Sequence, residues 1–399
     1  MQSNQSCKIW TLSEDKKAYD RYSYLLGKPD IKGISVVETN NILIEKGAAS
    51  FIGDPYVVLL HDESNIRKEY SEKMEALGQV KALDGGLVNG YHTLNSVALG
   101  QDCIHLLSCT PYSTKEQDYK NEASENNFDG KSILFDHLKS ISVGFKSKSP
   151  TAVLIHIIDR GEDDQKVFDY IDQELGDKFA IRLKLNRNSR VKTWSESKGK
   201  EVAVKIAQKA MKSNFEQQYK VFSWRGKCFK NAKAKFSYEH FYLGSNQYNV
   251  VRIQMYDSGG RKIFKNPMLI ATNFEIKNTE TALRVFHLYL KRSKIEGVFK
   301  FLKTELGWEE FQVQELLAIK HILILCYFVG AYFCELEPEI LDNEFMQLIC
   351  KLGGGKNKVT RHFFLKGLQK LYNYESMLRF FKEQNLSPEE IQTLFKTIK

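Results

Sequence analysis

Several things this 399-residue chain has little of narrow the field before any motif is considered. Its seven cysteines are odd in number and include no C-x-x-C pair, so a disulfide framework and a cysteine zinc site are both disfavoured. With no secretory signal, reduced thiols in a cytoplasmic protein are expected. The nine histidines form no H-E-x-x-H or other zinc spacing. His61, next to Asp62, is read as a neighbouring or solvent-facing residue before a ligand. Gly353-Gly354-Gly355-Lys356 is not a phosphate-binding loop, because Cys350 stands where that pattern needs glycine and Asn357 follows the lysine. A flexible basic turn is expected there. The longest apolar run, Ile322 to Cys334, is thirteen residues. That is short of the ~18 to 20 that span a bilayer, and a buried core helix is expected instead. No internal repeat is visible.

What the chain has is a core's worth of apolar residues, 42%, and a net charge of +9 that is not spread evenly. Between Arg182 and Lys235 sixteen Lys or Arg face three acids, a local +13 that leaves −4 for everything else. Aromatic residues interleave this stretch, Trp194, Tyr219, Phe222, Trp224 and Phe229, with Phe236 directly after it. Cations along a backbone with flat rings between them suit a nucleic acid, although charge runs are often only solvated faces and a strand Trp often belongs to the core.

Periodicity and turn signals give the organisation. Residues 1–52 read as a small helical N-terminal unit, with helices around Glu14 to Leu26 and from Ser35 or Thr39 to Gly47. Three strands follow, Val57 to Leu60, Leu87 to Leu99 and Cys103 to Leu107, with a meander expected. Next come a helix from Ser132 to Ile141, an apolar strand from Ala152 to Ile158, a helix from Asp164 to Leu175 and a strand from Phe179 to Leu185. Residues 53–186 are thus the first part of an α/β core with a mixed sheet. Residues 187–265 form a basic, β-rich insertion. Residues 266–334 return to the core with a strand at Met268 to Thr272, one long helix from Thr279 to Leu306 and a helix pair from Trp308 to Phe333. Residues 335–399 form a helical C-terminal region.

Two acids stand at the ends of apolar strands, Asp62 and Asp159, where α/β sheets assemble sites; turns favour Asp there as well. On the long helix, Tyr289, Arg292, Glu296 and Lys303 recur at spacings of three, four and seven. This places them within ~60° of arc on one face of an ideal helix. An Arg292–Glu296 ion pair on an exposed face would account for part of this pattern.

The Y-x2-R-x3-E-x6-K spacing is matched at all four positions and resembles the signature of the insertion-sequence-four family of DDE transposases. The surroundings resemble it too: Pro267 to Asn273 before the helix, Asp159-Arg160-Gly161-Glu162-Asp163 after the second strand, and Asp62 ahead of Gly90-Tyr91-His92. The resemblance spans roughly residues 55 to 330. It implies an RNase H-like catalytic domain with Asp62, Asp159 and Glu296 as catalytic triad and metal ligands, and a β insertion between the second Asp and the Glu. Two Mg2+ ions, replaceable by Mn2+, are implied, and carboxylates with water and phosphate oxygens suffice to hold them.

The implied activity is cleavage at the ends of an insertion sequence, followed by attack of the 3′-hydroxyl on target DNA. Tyr289, Arg292 and Lys303 would hold phosphates. Arg160 would add a contact unless it pairs with Glu162 or Asp163, and Trp224 or Trp194 would take a flipped base. Partners would be DNA ends and target DNA, with a homodimer on the paired ends in the bacterial cytoplasm. The N-terminal unit and the tail would help to dimerise and to read the terminal repeats. A catalytically silent DNA-binding relative and a nuclease without strand transfer remain as alternatives.

Overall fold

A computed structural model describes residues 16–29, 33–116, 130–186, 188–190, 201–203, 211, 215–243, 246–356, 358–385 and 387–390. The architecture is mixed α/β. Ten strands form one sheet that contains both parallel and antiparallel pairs. Its first half is built from β1 (Tyr56–Arg67), β2 (Gly78–Lys81), β3 (Leu87–Leu99), β4 (Ile104–Tyr112), β5 (Val153–Ile158) and β6 (Lys178–Arg182). β3 pairs antiparallel with β1 on one side and with β2 and β4 on the other, while β1, β5 and β6 run parallel. The expected meander is present, with one strand more. β2 is four residues long and too polar to announce itself.

Two short strands, β7 (Asn188–Arg190) and β8 (Glu201–Ala203), pair only with each other. The other insertion strands, β9 (Phe215–Trp224), β10 (Lys227–Leu243) and β11 (Asn246–Tyr256), form a meander. It joins the main sheet through β12 (Met268–Thr272), which lies antiparallel to both β11 and β6. The basic segment therefore lengthens the core sheet.

Helices cover both faces. On one lie α2 (Val36–Ala49) and α3 (Gly130–Lys148), which pack Ile44, Ile141 and Phe145 against Val57, Leu59 and Leu154. Ser35 caps α2 by accepting from the Glu38 amide. The short α4 (Gln165–Asp169) packs Val167 and Phe168 on the same side, against Ile158, Phe179 and Ile181. The opposite face carries α5 (Thr279–Leu290), α6 (Ser293–Glu305) and α7 (Leu316–Glu335) over Val58, Leu60, Ile155 and Ile157. α1 (Lys16–Leu26) leans on α7. By length and composition α7 is long enough to cross a membrane, and most of it is buried in this core.

Three expectations are corrected. β1 continues seven residues beyond Leu60 because β3 pairs with it as far as Arg67, so Asp62 sits inside a strand. The long helix is two helices. At Lys291 and Arg292 the backbone closes with i→i−3 hydrogen bonds, Arg292 N–H to Tyr289 C=O at 3.0 Å and Ile295 N–H to Arg292 C=O at 3.1 Å. α5 follows β6, β11 and β12 while α6 follows β1 and α7, and the turn absorbs the change of direction.

The segment from Trp308 to Val313 is not helical. Two of its backbone carbonyls are taken from outside, since Lys68 Nζ donates to those of Glu309 and Phe311, and just beyond it the Gln314 carbonyl accepts from the Glu75 amide at 2.9 Å. The Trp308 indole N–H donates to Leu323 C=O at 3.1 Å.

The described part of the tail contains α8 (Glu337–Asp342), α9 (Glu344–Leu352) and α10 (Arg361–Glu383), which close over Phe301 and Phe333. The glycine turn between α9 and α10 is tightly packed. A Cβ at Gly353 would stand 2.0 Å from Phe363 C=O, and one at Gly367 2.0 Å from Ile349 C=O. Glycine is required at both.

Candidate active site

Strand parity decides which side chains meet. Successive residues of a strand point to opposite faces, so Val58, Leu60 and Asp62 share one face of β1. Ile155, Ile157 and Asp159 share the same face at the end of β5. The parallel register pairs His61 with Ile158, which brings Asp62 beside Asp159. Both lie on the face covered by α5 and α6. In the parity of Val57 and Leu59, His61 points the other way, as does His156 on β5.

Arg292, in the turn between α5 and α6, offers one nitrogen to each of three acids. Its Nη1 donates to Asp62 Oδ2 at 2.7 Å, its Nη2 to Glu296 Oε1 at 2.6 Å, and its Nε lies 3.8 Å from Asp159 Oδ1. The buried Tyr289 hydroxyl donates to Asp159 Oδ1 at 3.0 Å. The structure thus gathers Asp62, Asp159, Glu296, Tyr289 and Arg292 into one cluster. One guanidinium answers three carboxylates there.

That imbalance marks the electrostatics. Burial pushes the Asp62 carboxyl up to about 6; Arg292 pulls against the shift, and Asp159 and Glu296 reinforce it. Burial likewise drives the Tyr289 phenol upward, with Asp159 adding to it. The Arg292 guanidinium is raised: burial opposes this, and Asp62 and Asp159 outweigh it. The cluster lacks positive charge. Its donors are hard carboxylate oxygens, the set that suits Mg2+ or Mn2+. Among the described residues no three His, Cys, Asp or Glu side chains already converge on one metal-sized point, because the guanidinium stands between the acids.

Lys303 is placed elsewhere. Its Nζ donates to Asn65 C=O at 2.6 Å and to Glu309 Oε1 at 3.1 Å, and Glu309 also accepts from Arg67. Lys303 stands seven residues beyond Glu296 on α6, about 10 Å along the helix axis, and that distance takes it away from the cluster.

Arg160 is exposed and lines a cleft of about 810 Å³ beside the cluster. Arg182, Lys184, Arg225, Lys227, Lys262 and Lys265 line it as well, with Trp224 and Phe264 as aromatic walls. The Trp224 ring lies 4.8 Å from that of Phe264. Trp194 is outside the described residues. Lys262 and Lys265 belong to the 187–265 insertion but fall after its densest run of cations, and they reach the cleft through the turn that follows β11. Glu309 had no signal in the sequence: it lies six residues beyond Lys303, outside any motif.

The other face of β1 and β5 holds a fully buried polar chain. His156 Nε2 meets Asp177 Oδ2 at 3.1 Å, His61 Nε2 meets His156 Nδ1 at 2.9 Å, and Ser96 Oγ meets His61 Nδ1 at 2.5 Å. Beyond it, His137 Nε2 meets Ser96 Oγ at 2.6 Å, and Thr110 Oγ1 meets His137 Nδ1 at 2.8 Å. With every ring neutral, one assignment of protons satisfies all five links, each donor pointing toward Asp177. Burial holds His61 well below its usual range, with His156 and His137 adding to the effect, and takes His137 down to about 3. His61 is therefore a core residue and not solvent-facing.

No protein-family model matches this chain, and no curated protein matches it.

Proposed function

We propose that this chain is a DDE transposase of the insertion-sequence-four type, which cuts DNA at the ends of a mobile element and joins them to target DNA. The observation that carries this reading is the meeting of Asp62, Asp159 and Glu296, from two adjacent parallel strands and a helix, around one guanidinium beside a basic cleft. The strand order β4-β3-β1-β5-β6 supports the RNase H-like part of the proposal: antiparallel strands on one side of β1, parallel strands on the other.

In this reading each residue has a task. Asp62, Asp159 and Glu296 hold two Mg2+ ions, which when bound activate the attacking oxygen and stabilise the leaving one. Tyr289 fixes the Asp159 carboxylate through its hydroxyl. Arg160, Arg182, Lys184, Arg225 and Lys227 line the cleft with cations that suit a phosphate backbone, and Trp224 gives a base a ring to stack on. A homodimer on paired ends would bring two such sites together.

The test is cleavage of a labelled fragment carrying the element's flanking inverted repeats, with Mg2+ or Mn2+ present. Cuts at the repeat boundary are expected from the parent and a loss of at least about 1,000-fold from Asp159→Asn, as when a group essential to phosphoryl transfer is removed. Joined element–target products would separate a transposase from a nuclease. Binding without cuts in either protein would replace the proposal with a DNA-binding role.

A further inference from the structure

We infer that Arg292 is a built-in placeholder cation, which occupies the place of the metal while nucleic acid is absent and yields it when a phosphate draws the guanidinium away. The inference rests on the reading that these acids hold divalent cations, and adds a rule for when they do so. It starts from geometry: all three guanidinium nitrogens that could reach an acid do so, each facing a different carboxylate. An ordinary i,i+4 ion pair between Arg292 and Glu296 would leave Nη1 and Nε to water. Here the head is inserted among the acids, and its side chain keeps only 17% of its exposure.

Two features make the arrangement exchangeable. Arg292 caps α6 in the i→i−3 turn, and its partner Glu296 is more than half exposed, so the side chain has open solvent to turn into. The alternative partner would lie in the adjoining cleft, whose Arg160 follows Asp159 directly in the chain. A phosphate backbone there would offer the guanidinium oxygens equivalent to those it gives up. Three carboxylates then lose the guanidinium they share and take up divalent ions more tightly. Linkage requires the converse: Mn2+ held by the acids strengthens DNA binding through Arg292 by the same factor. The device ties metal loading to substrate and leaves the DNA-free protein poorly charged with metal.

The experiment measures Mn2+ affinity of the full chain by the electron paramagnetic resonance of free Mn2+, with duplex DNA alone as a blank. Parent protein is compared with Arg292→Gln, each with and without duplex. In DNA-free protein, Arg292→Gln is expected to bind Mn2+ about 10-fold more tightly than the parent, within the range of ordinary coupling between sites. Duplex is expected to tighten the parent by a similar factor and to leave Arg292→Gln nearly unchanged.

Arg292→Lys keeps the charge with one nitrogen in place of three, so it should fall between the two. It also serves as the readable variant if Arg292→Gln does not fold. Equal or weaker Mn2+ binding by the variants, with binding by the parent intact, overturns the placeholder and leaves the metal site standing. Absence of Mn2+ binding in every form, with duplex included, overturns the metal site itself and the placeholder with it.

Discussion

His61 and Asp62 are consecutive residues of one strand, and the sheet turns them to opposite sides. The His61 side carries as many polar groups as the Asp62 side, yet each finds a partner and the chain of bonds ends at Asp177. Burial alone would raise the Asp177 carboxyl, but bonds from His156, Lys146 and Ser142 hold it below its usual range. On the Asp62 side three carboxylates share one guanidinium, and Asp62 is left with a carboxyl raised to about 6. A fold that satisfies one face of a strand fully and leaves the other short of charge has placed the deficit where a ligand can supply it. A raised acid by itself would carry little weight. A raised acid whose buried neighbour is fully compensated shows that the sheet is able to satisfy polar groups at this depth.

Breaking the satisfied side gives the largest expected change in stability. His156→Ala removes the donor to Asp177 and the acceptor for His61, both fully buried. A loss of about 4 kcal/mol is expected in urea unfolding, in the range for stripping a partner from a buried charged group. A loss below about 1 kcal/mol would mean that the two faces do not differ as argued.

Much of this contrast was legible beforehand in the strand pattern. Val57 to Leu60 and Ala152 to Ile158 announce two buried strands, and parity within them places Asp62 and Asp159 together once the parallel register is known. Register is the part that sequence does not carry, because it is fixed by pairing between segments nearly a hundred residues apart. The helix break at Lys291–Arg292 was hidden for a related reason. No Gly or Pro marks it, and it arises because α5 and α6 pack on different strands. The break changes how α5 and α6 are aimed but not the relation of Glu296 to Lys303, which share α6 about two turns apart, and at that distance Lys303 reaches Asn65 and Glu309. The histidine chain was the least visible. His61, His137 and His156 lie on three elements with no common spacing, and a buried histidine is indistinguishable in sequence from one in solvent.

The charge-short side should respond to pH in a direction opposite to most buried, paired acids. Asp62 has a folded pKa raised from 3.8 to about 6, so the folded state binds its proton more readily than the unfolded chain does. Its contribution therefore destabilises the metal-free protein above about pH 6 and is relieved as pH falls from about 6 toward 4. The full span is about 3 kcal/mol at 1.36 kcal/mol per unit. Asp62→Asn is expected to stabilise the metal-free protein at pH 8 by roughly 2 to 3 kcal/mol and to flatten the dependence between pH 8 and 4. Unfolding curves of the two proteins at pH 8, 6 and 4 check this. Parallel curves at all three would place Asp62 among ordinary satisfied carboxylates and remove the contrast with His61.

The smallest effect tests how far the deficit extends along this face. Lys303, about two helical turns beyond Glu296, is tied to Asn65 and Glu309, with Arg67 completing the group. Burial lowers the Lys303 ammonium while Glu309 opposes it. The Glu309 carboxyl ends below its usual range: burial works against this, and Lys303 and Arg67 prevail. This group is compensated, so it braces α6 on β1 and in doing so aims Glu296. Lys303→Met and Glu309→Gln should each cost about 1 kcal/mol, and a double-mutant cycle should show a coupling of about 0.5 kcal/mol or more between them. Additive effects would mean that Lys303 has no stake in Glu309 and is free to meet a phosphate, which would extend the unsatisfied side from Asp62 to the far end of α6.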